Sequence, residues 1–423
     1  MRLNKDLGFY IPAFFMMQVD TIKPIEGIIG TVDERTFSHE LIHFLQDITT
    51  TYGLINISRC IDFIKVQNSV LRNTNSSVKL PLQGSELSGS VMINNDLFSL
   101  YVGDSAEKFR EFPDDYIITE VIEDEMDIDN IPYPIKYIEI KYGNRTQIIN
   151  NPFHFGSMAI YESMANLIEN EIYGENKVLR SFPYDSALMI AENLCPLIYH
   201  NKLAIAELCE ASLMFYNPAE VFIDSLRKIQ MQNLIFKKPN EYYLYVLDNF
   251  TLDTTPPTVQ FMKDSKLAMS QLNDLFTVSP FREEKWASGM VYKAQNLRNS
   301  GISLSAVLWG IDKDKSKKSL IKFISDVGMP IIFNSNFDAW VRDSEENMQT
   351  PLMHQAIFSF YEILRGKQIG CSLYKYCIKN NVCDEADHNC ISSPWLQLKQ
   401  EKICYFSNLW KMWGLEGVHI SVK

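Results

Sequence analysis

TFSHELIHFLQDITT, residues 36–50, decides how the rest of the chain is read. At 100° per residue Phe37, Leu41, Phe44, Leu45 and Ile48 fall on one apolar stripe. His39, Glu40, His43, Gln46, Asp47 and Thr50 fall opposite it. That period predicts an amphipathic helix, with Asp33 as its N-cap, a run to about Thr51, and Gly53 placed to end it.

Residues i and i+4 stand one above the other on a helix, so the His39 and His43 imidazoles can converge on one cation. The glutamate between them points beside such an ion rather than at it, where a general base for a water molecule belongs. The competing reading is an ordinary solvated helix face that happens to carry two of the chain's seven histidines. A strict His-Glu-x-x-His spacing on a convincing amphipathic helix favours the metal.

A catalytic site of this kind needs a third protein ligand and an open position. No histidine follows closely, the next being His154, so the third ligand must come from another segment. FHFGSMAIYESMANLIENEIYG, residues 153–174, reads as a helix from about Ser157 to Tyr173, stopped by Gly174. Its apolar stripe is Ile160, Tyr161, Met164, Leu167 and Ile168, and Glu162, Ala165, Asn166 and Glu169 lie opposite. Glu162 is the first choice as ligand, with Glu169 and His154 as alternatives. Asn166, one turn on, is placed to accept a hydrogen bond from a ligand histidine's second nitrogen. His154, Tyr184 and His200 are candidates for stabilising an oxyanion, and Tyr161 falls on the apolar side.

HELIH together with the downstream ESMA resembles the gluzincin type of zincin metallopeptidase, with its HExxH and ExxA-like elements. HELIHFLQD, with Gln46 and Asp47, is similar to a group of bacterial zincins whose motif continues in a Gln-Asp pair. The resemblance implies Zn2+ held by His39, His43 and Glu162, Glu40 activating water, and a protein or peptide substrate. It covers only residues around 36–50 and 156–170, and the interval between them is long. The fold it implies is α+β, a zincin-like catalytic region with a small sheet packed on the HExxH helix.

Composition narrows the alternatives. A net charge of -12 lacks the basic footprint of a nucleic-acid binder, and the basic run at 312–319 is interrupted by acids. No apolar run is long enough to span a bilayer. The apolar N-terminus is broken by Asp6 and Pro12 and reads as strand, which places the chain in the cytoplasm. The eight cysteines are then expected as thiols. Cys371, Cys377, Cys383, His388 and Cys390 concentrate metal-binding groups without a Cys-x-x-Cys knuckle. Buried thiols are the first reading there, a second, structural zinc the alternative.

Along the chain, the first thirty residues read as strands, residues 73–100 as a loop or two short strands, and 116–149 as β with a hairpin turning at Gly143-Asn144. The acidic stretch 123–130 lacks the glycine and final glutamate of a calcium loop and reads as a solvated edge. Helix dominates from Ser157 to about 250, and Pro256-Pro257 in TLDTTPPTVQ is expected to halt any helix. The expectation is a metallopeptidase domain over 1–250 and a mostly helical accessory domain over 251–423. The rival readings are a metal-binding protein without peptidase turnover, and an interaction module with structural histidines.

Overall fold

The computed structural model of the chain describes residues 7–24, 27–28, 31, 33–74, 77–82, 89–104, 117–143, 148–174, 182–278, 281, 285–309, 316–341, 348–367, 370–383, 386–399 and 403–422. Two short strands, β1 (Gly8–Ile11) and β2 (Met16–Val19), pair antiparallel and lead to helix α1 (Glu34–Thr49), which carries the HELIH segment. Asp33 occupies the cap position without capping. Its carboxylate instead accepts from Thr21 Oγ1 and Lys23 Nζ, both at 3.0 Å, tying the end of β2 to the start of the helix.

The expected stop at Gly53 is corrected by the structure. α1 ends at Thr49, Thr50 is extended, and α2 (Thr51–Arg72) begins at once. Gly53 therefore lies in the first turn of α2, donating its N–H to Thr50 Oγ1 at 3.1 Å. A Cβ at Gly53 would overlap the backbone of Asp47. Glycine is needed there because two helix ends meet backbone to backbone, not because a helix stops. The far end of α1 is held by Arg298, whose Nε donates to the Thr49 carbonyl at 2.7 Å. A cation at a helix C-terminus also complements the backbone dipole.

Beyond α2, residues 73–100 depart from the loop-or-strands expectation. They hold strand β3 (Val78–Leu80) and the beginning of helix α3 (Gly89–Val102). The Asn- and Ser-rich composition hid an anchor: Phe98 stacks on Tyr52 at 5.2 Å, with the Arg59 guanidinium 4.1 Å from its ring. β4 (Ile117–Met126), β5 (Ile135–Gly143) and β6 (Ile148–Phe155) form an antiparallel meander. The acidic stretch falls largely on β4, an exposed edge, and Asn144 of the expected turn lies outside the described residues.

Helix α4 (Ser157–Tyr173) ends at Gly174 with φ +88°, as the sequence predicts. Four helices follow, α5 (Ser186–Leu194), α6 (Lys202–Ser212), α7 (Pro218–Gln232) and α8 (Glu241–Asn249). Pro256-Pro257 does not halt a helix but starts one: α9 (Pro257–Asn273) has proline in its first turn, where the missing N–H would lack an intrahelical partner anyway. Then come α10 (Trp286–Arg298), α11 (Leu304–Trp309), α12 (Ser316–Val327), β7 (Ile331–Phe333), β8 (Ala339–Trp340) and α13 (Gln349–Leu364). Shorter helices and strand β9 (Ile420–Val422) complete the chain.

The architecture is mixed α+β, with small sheets and a mostly helical C-terminal part. β7 joins β2 in parallel, giving a sheet of order β1-β2-β7-β8. β1 and β2 also pack on α1, and α4 packs along it. Among the described residues no helix is long and apolar enough to cross a membrane.

Replacing Gly53 by alanine is expected to destabilise the protein by about 3 kcal/mol, because the added methyl must separate two packed backbones. Gly89→Ala, which meets open space, is the control and should leave stability level or slightly raised. Equilibrium urea unfolding reads both, and equal midpoints for the two variants would contradict the close approach.

Candidate metal centre

The polar face of α1 is not wet. His39 keeps 9% exposure, Glu40 3%, and His43, Gln46, Asp47 and Thr50 none. Buried polar side chains need partners, and most partners on this face come from β1, the β1–β2 turn and α4, with Gln46 of α1 itself holding His43. His39 and His43 stand one turn apart on the side facing α4, which supplies Glu162, itself 2% exposed.

His39 Nε2 and His43 Nε2 are 3.1 Å apart, and Glu162 Oε2 lies 3.2 Å from the first and 3.4 Å from the second. The outer ring nitrogens fix what these atoms can do. His39 Nδ1 is 2.7 Å from Glu169 Oε2, a carboxylate that can only accept while ionised. His43 Nδ1 is 2.8 Å from Gln46 Oε1, and the Gln46 amide nitrogen donates to the Tyr161 carbonyl at 3.0 Å, so the oxygen is the end facing the ring. Both Nδ1 atoms therefore donate, and both Nε2 lone pairs turn inward toward a carboxylate oxygen. Three acceptors converge. Only a shared proton or a metal cation satisfies them, and the group can hold a metal ion.

The electrostatics agree. Burial pushes the His39 imidazolium toward neutrality, yet the hydrogen bonds and charges of Glu162 and Glu169 outweigh it and raise its pKa well above the usual value. Burial pushes the Glu162 carboxyl up, and the attraction and hydrogen bonds of His43 and His39 bring it down to about 2. The pocket is built to hold positive charge between these groups.

Glu40 lies beside the group without joining it. Desolvation raises its carboxyl to about 7, only partly offset by the two histidines and by the Tyr10 backbone N–H that it accepts. Its Oε2 has no hydrogen-bond partner among the described residues. β1 reaches this close because Gly8 has no side chain: a Cβ there would crowd Gln18 O and Thr36 Cγ2, both at 2.8 Å, with Glu40 Cγ at 3.6 Å. Asp47 accepts from Tyr10 OH at 2.9 Å and from the Ala13 N–H at 2.7 Å, pinning the β1–β2 turn onto α1. Burial raises Asp47 to about 7 as well.

The remaining sequence candidates are placed as follows. Asn166 faces away from the imidazoles and donates to the Tyr184 carbonyl at 3.3 Å and to Asp185 Oδ1 at 3.2 Å. Glu169, an alternative ligand on sequence grounds, holds the outer nitrogen of His39 and pairs with Arg35 Nε. Tyr184 brings its ring to 6.1 Å from that of His39. His154 is on β6 with its ring 5.2 Å from Tyr137, and His200 packs on Tyr199 at 3.6 Å.

Sequence reasoning missed the parts played by Arg35, Gln46 and Asp47, although the spacing held a trace of them. Arg35, His39 and His43 form one i, i+4, i+8 row, and Glu162 and Glu169 are two turns apart on the facing helix. All eight cysteines are free. Among the described residues His39, His43 and Glu162 are the one group of metal-binding side chains whose ligand atoms come within 4.8 Å of one another, so the Cys371–Cys390 cluster is not gathered for a second zinc. Instead Cys390 Sγ accepts from Gln397 Nε2 at 3.4 Å, and His388 Nδ1 lies 3.2 Å from Ser392 Oγ.

Comparison of the chain with protein-family models, with curated proteins and with solved structures yields no match.

The metal-free protein has a definite pH dependence. His39, raised in the folded state, stabilises fully below its unfolded value of about 6.5 and loses that contribution as pH rises through the folded value. Glu40 and Asp47, raised to about 7, make folding progressively less favourable between their unfolded values and pH 7. Glu162, depressed, contributes throughout that range and fails only toward acid. Chelator-treated protein should therefore unfold at falling urea concentrations as pH rises from about 5 to about 8. A midpoint that climbs over that interval would contradict this reading.

Proposed function

We propose that the chain is a zinc-dependent metallopeptidase in which His39, His43 and Glu162 hold the ion and Glu40 is the general base. The observation that carries this reading is the triangle of inward acceptors, with edges of 3.1, 3.2 and 3.4 Å. A tetrahedral ion with bonds of about 2.0–2.1 Å has edges of about 3.3–3.4 Å between its ligand atoms. Two imidazoles and a carboxylate also form a donor set used by catalytic zinc, which leaves a fourth position open. The small sheet β1-β2-β7-β8 against α1, and α4 crossing the histidine pair, accord with the zincin-like arrangement implied by HELIH and ESMA.

When bound, zinc supplies Lewis acidity, polarising a carbonyl and lowering the pKa of a water molecule to about 7. The protein's own groups do the rest. Glu40, beside the ligand group and with one oxygen unpartnered among the described residues, is placed to take a proton from the attacking water and return it to the leaving amine. Glu169 and Gln46 keep both imidazoles in the tautomer that turns Nε2 inward. Tyr184 is the sequence-chosen oxyanion candidate whose ring approaches His39.

A second reading draws on the burial of the site. Only His39 among the ligands keeps appreciable exposure, 11% of its side chain against 2% for Glu162 and none for His43. A metal-binding protein without turnover, acting through its surface, would need no more access than that.

Glu40→Gln separates the two. The peptidase reading expects purified Glu40→Gln protein to retain about one zinc per chain while cleavage of a peptide library, followed by mass spectrometry, falls by about 100-fold or more. Wild-type protein that carries zinc yet cleaves nothing would support the second reading and overturn the first.

A further inference from the structure

The sheet β1-β2-β7-β8 has two faces, and only one is used by the metal centre. Along β1, Tyr10 points to α1, so Phe9 and Ile11 point away, and the register pairs them with Gln18 and Met16 of β2 on that same far face. Phe333 of β7 lies beside Gln18. These side chains floor a cavity of ≈ 280 Å³. Its walls are Phe337, Phe358 of α13 and Tyr376, and Ile391 lines it with 46% of its surface exposed.

Several polar side chains interrupt this lining, Ser372 and Tyr374 among them, and two bear on a ligand's head group. Gln18 brings an amide into the floor, and Lys375 brings an ammonium whose Nζ stands 4.7 Å from the centre of the Phe337 ring. Lys375 is exposed, and among the described residues its ammonium meets the Phe337 ring and no carboxylate. A concave aromatic pocket with a few placed polar groups is the usual form of a small-ligand site, and this volume falls just below the usual range, which limits the ligand to a small one. The lining calls for an apolar body, the ammonium, which stands over the Phe337 ring with no carboxylate partner among the described residues, for a negative head, and the amide for an acceptor.

We infer that this cavity binds a small amphipathic carboxylate, a medium-length acyl chain or an aryl-alkyl acid of about a dozen non-hydrogen atoms. The inference does not rest on the zinc reading, because the cavity and the metal centre lie on opposite faces of the sheet. They share β1 all the same. Phe9 and Ile11 line the cavity, while Tyr10 between them gives its N–H to Glu40 and its hydroxyl to Asp47.

Isothermal titration of the full chain with decanoate, N-acetylphenylalanine and 1-decanol tests it. Saturable one-site binding of at least one acid is expected, with the tighter of the two naming the acyl or the aryl source. Lys375→Gln should weaken acid binding by about tenfold or more, as loss of a charge-assisted contact does, and leave decanol unchanged. Ile391→Trp, filling the mouth from an exposed position, should abolish binding of all three, with thermal unfolding confirming that both variants fold. The inference is overturned if neither acid binds saturably, if Lys375→Gln binds the acids as tightly as wild type, or if Ile391→Trp still binds them.

Discussion

A helix whose polar face is as dry as its apolar one imposes the central constraint on this molecule. α1 buries His39, Glu40, His43, Gln46 and Asp47 together, and desolvated polar groups are costly unless each finds a partner. The neighbouring elements supply most of those partners. Glu40 Oε2 and Asp47 Oδ1 are left without partners among the described residues, and the inward nitrogens of the two histidines meet only each other and a carboxylate oxygen. That unsatisfied triangle is what a cation would complete.

The surrounding contacts hold the triangle in place rather than add to it. Glu169 is anchored by Arg35, whose guanidinium also donates to Asn170 Oδ1 at 2.6 Å and to the Gly174 carbonyl at 3.1 Å, so α1 and the end of α4 are clasped where His39 needs its orienting carboxylate. Gln46 bridges His43 to the Tyr161 carbonyl, one residue before Glu162, linking the second imidazole to the backbone that carries Glu162. The end of α1 is fastened in turn by Arg298, which pairs with Glu210, and Glu210 accepts the Leu304 and Ser305 N–H groups at 2.6 Å each. Contacts that span 134 to 249 positions of sequence thus fix one helix from both ends, leaving the His39–His43–Glu162 group little freedom to spread.

Much of this was legible in the sequence where local periodicity decides the outcome. The histidine spacing, the helix over residues 157–173 and its glycine stop follow from helix geometry, whereas Glu162 and Glu169 share one face of that helix and only the ExxA-like element singles out Glu162. What resisted reading depended on which face meets which neighbour. A helical wheel shows that Gln46 and Asp47 are polar-side residues but not that β1 and α4 cover them, so they look solvated. Asn166 has the right spacing for a histidine partner, yet its helix rotates it toward Tyr184 and Asp185. Gly53 and Pro257 carried ordinary helix-stop chemistry in the wrong context. Gly53 is required by a backbone approach, and Pro257 sits where a helix begins.

Diffraction from crystals grown with zinc, collected on both sides of the zinc absorption edge, addresses the central claim most directly. One anomalous peak within bonding distance of His39 Nε2, His43 Nε2 and a Glu162 oxygen, with Glu169 and Gln46 still on the outer nitrogens, is the predicted result. Difference density without a peak there, or a peak held by other side chains while the two imidazoles remain hydrogen-bonded to each other, would contradict it.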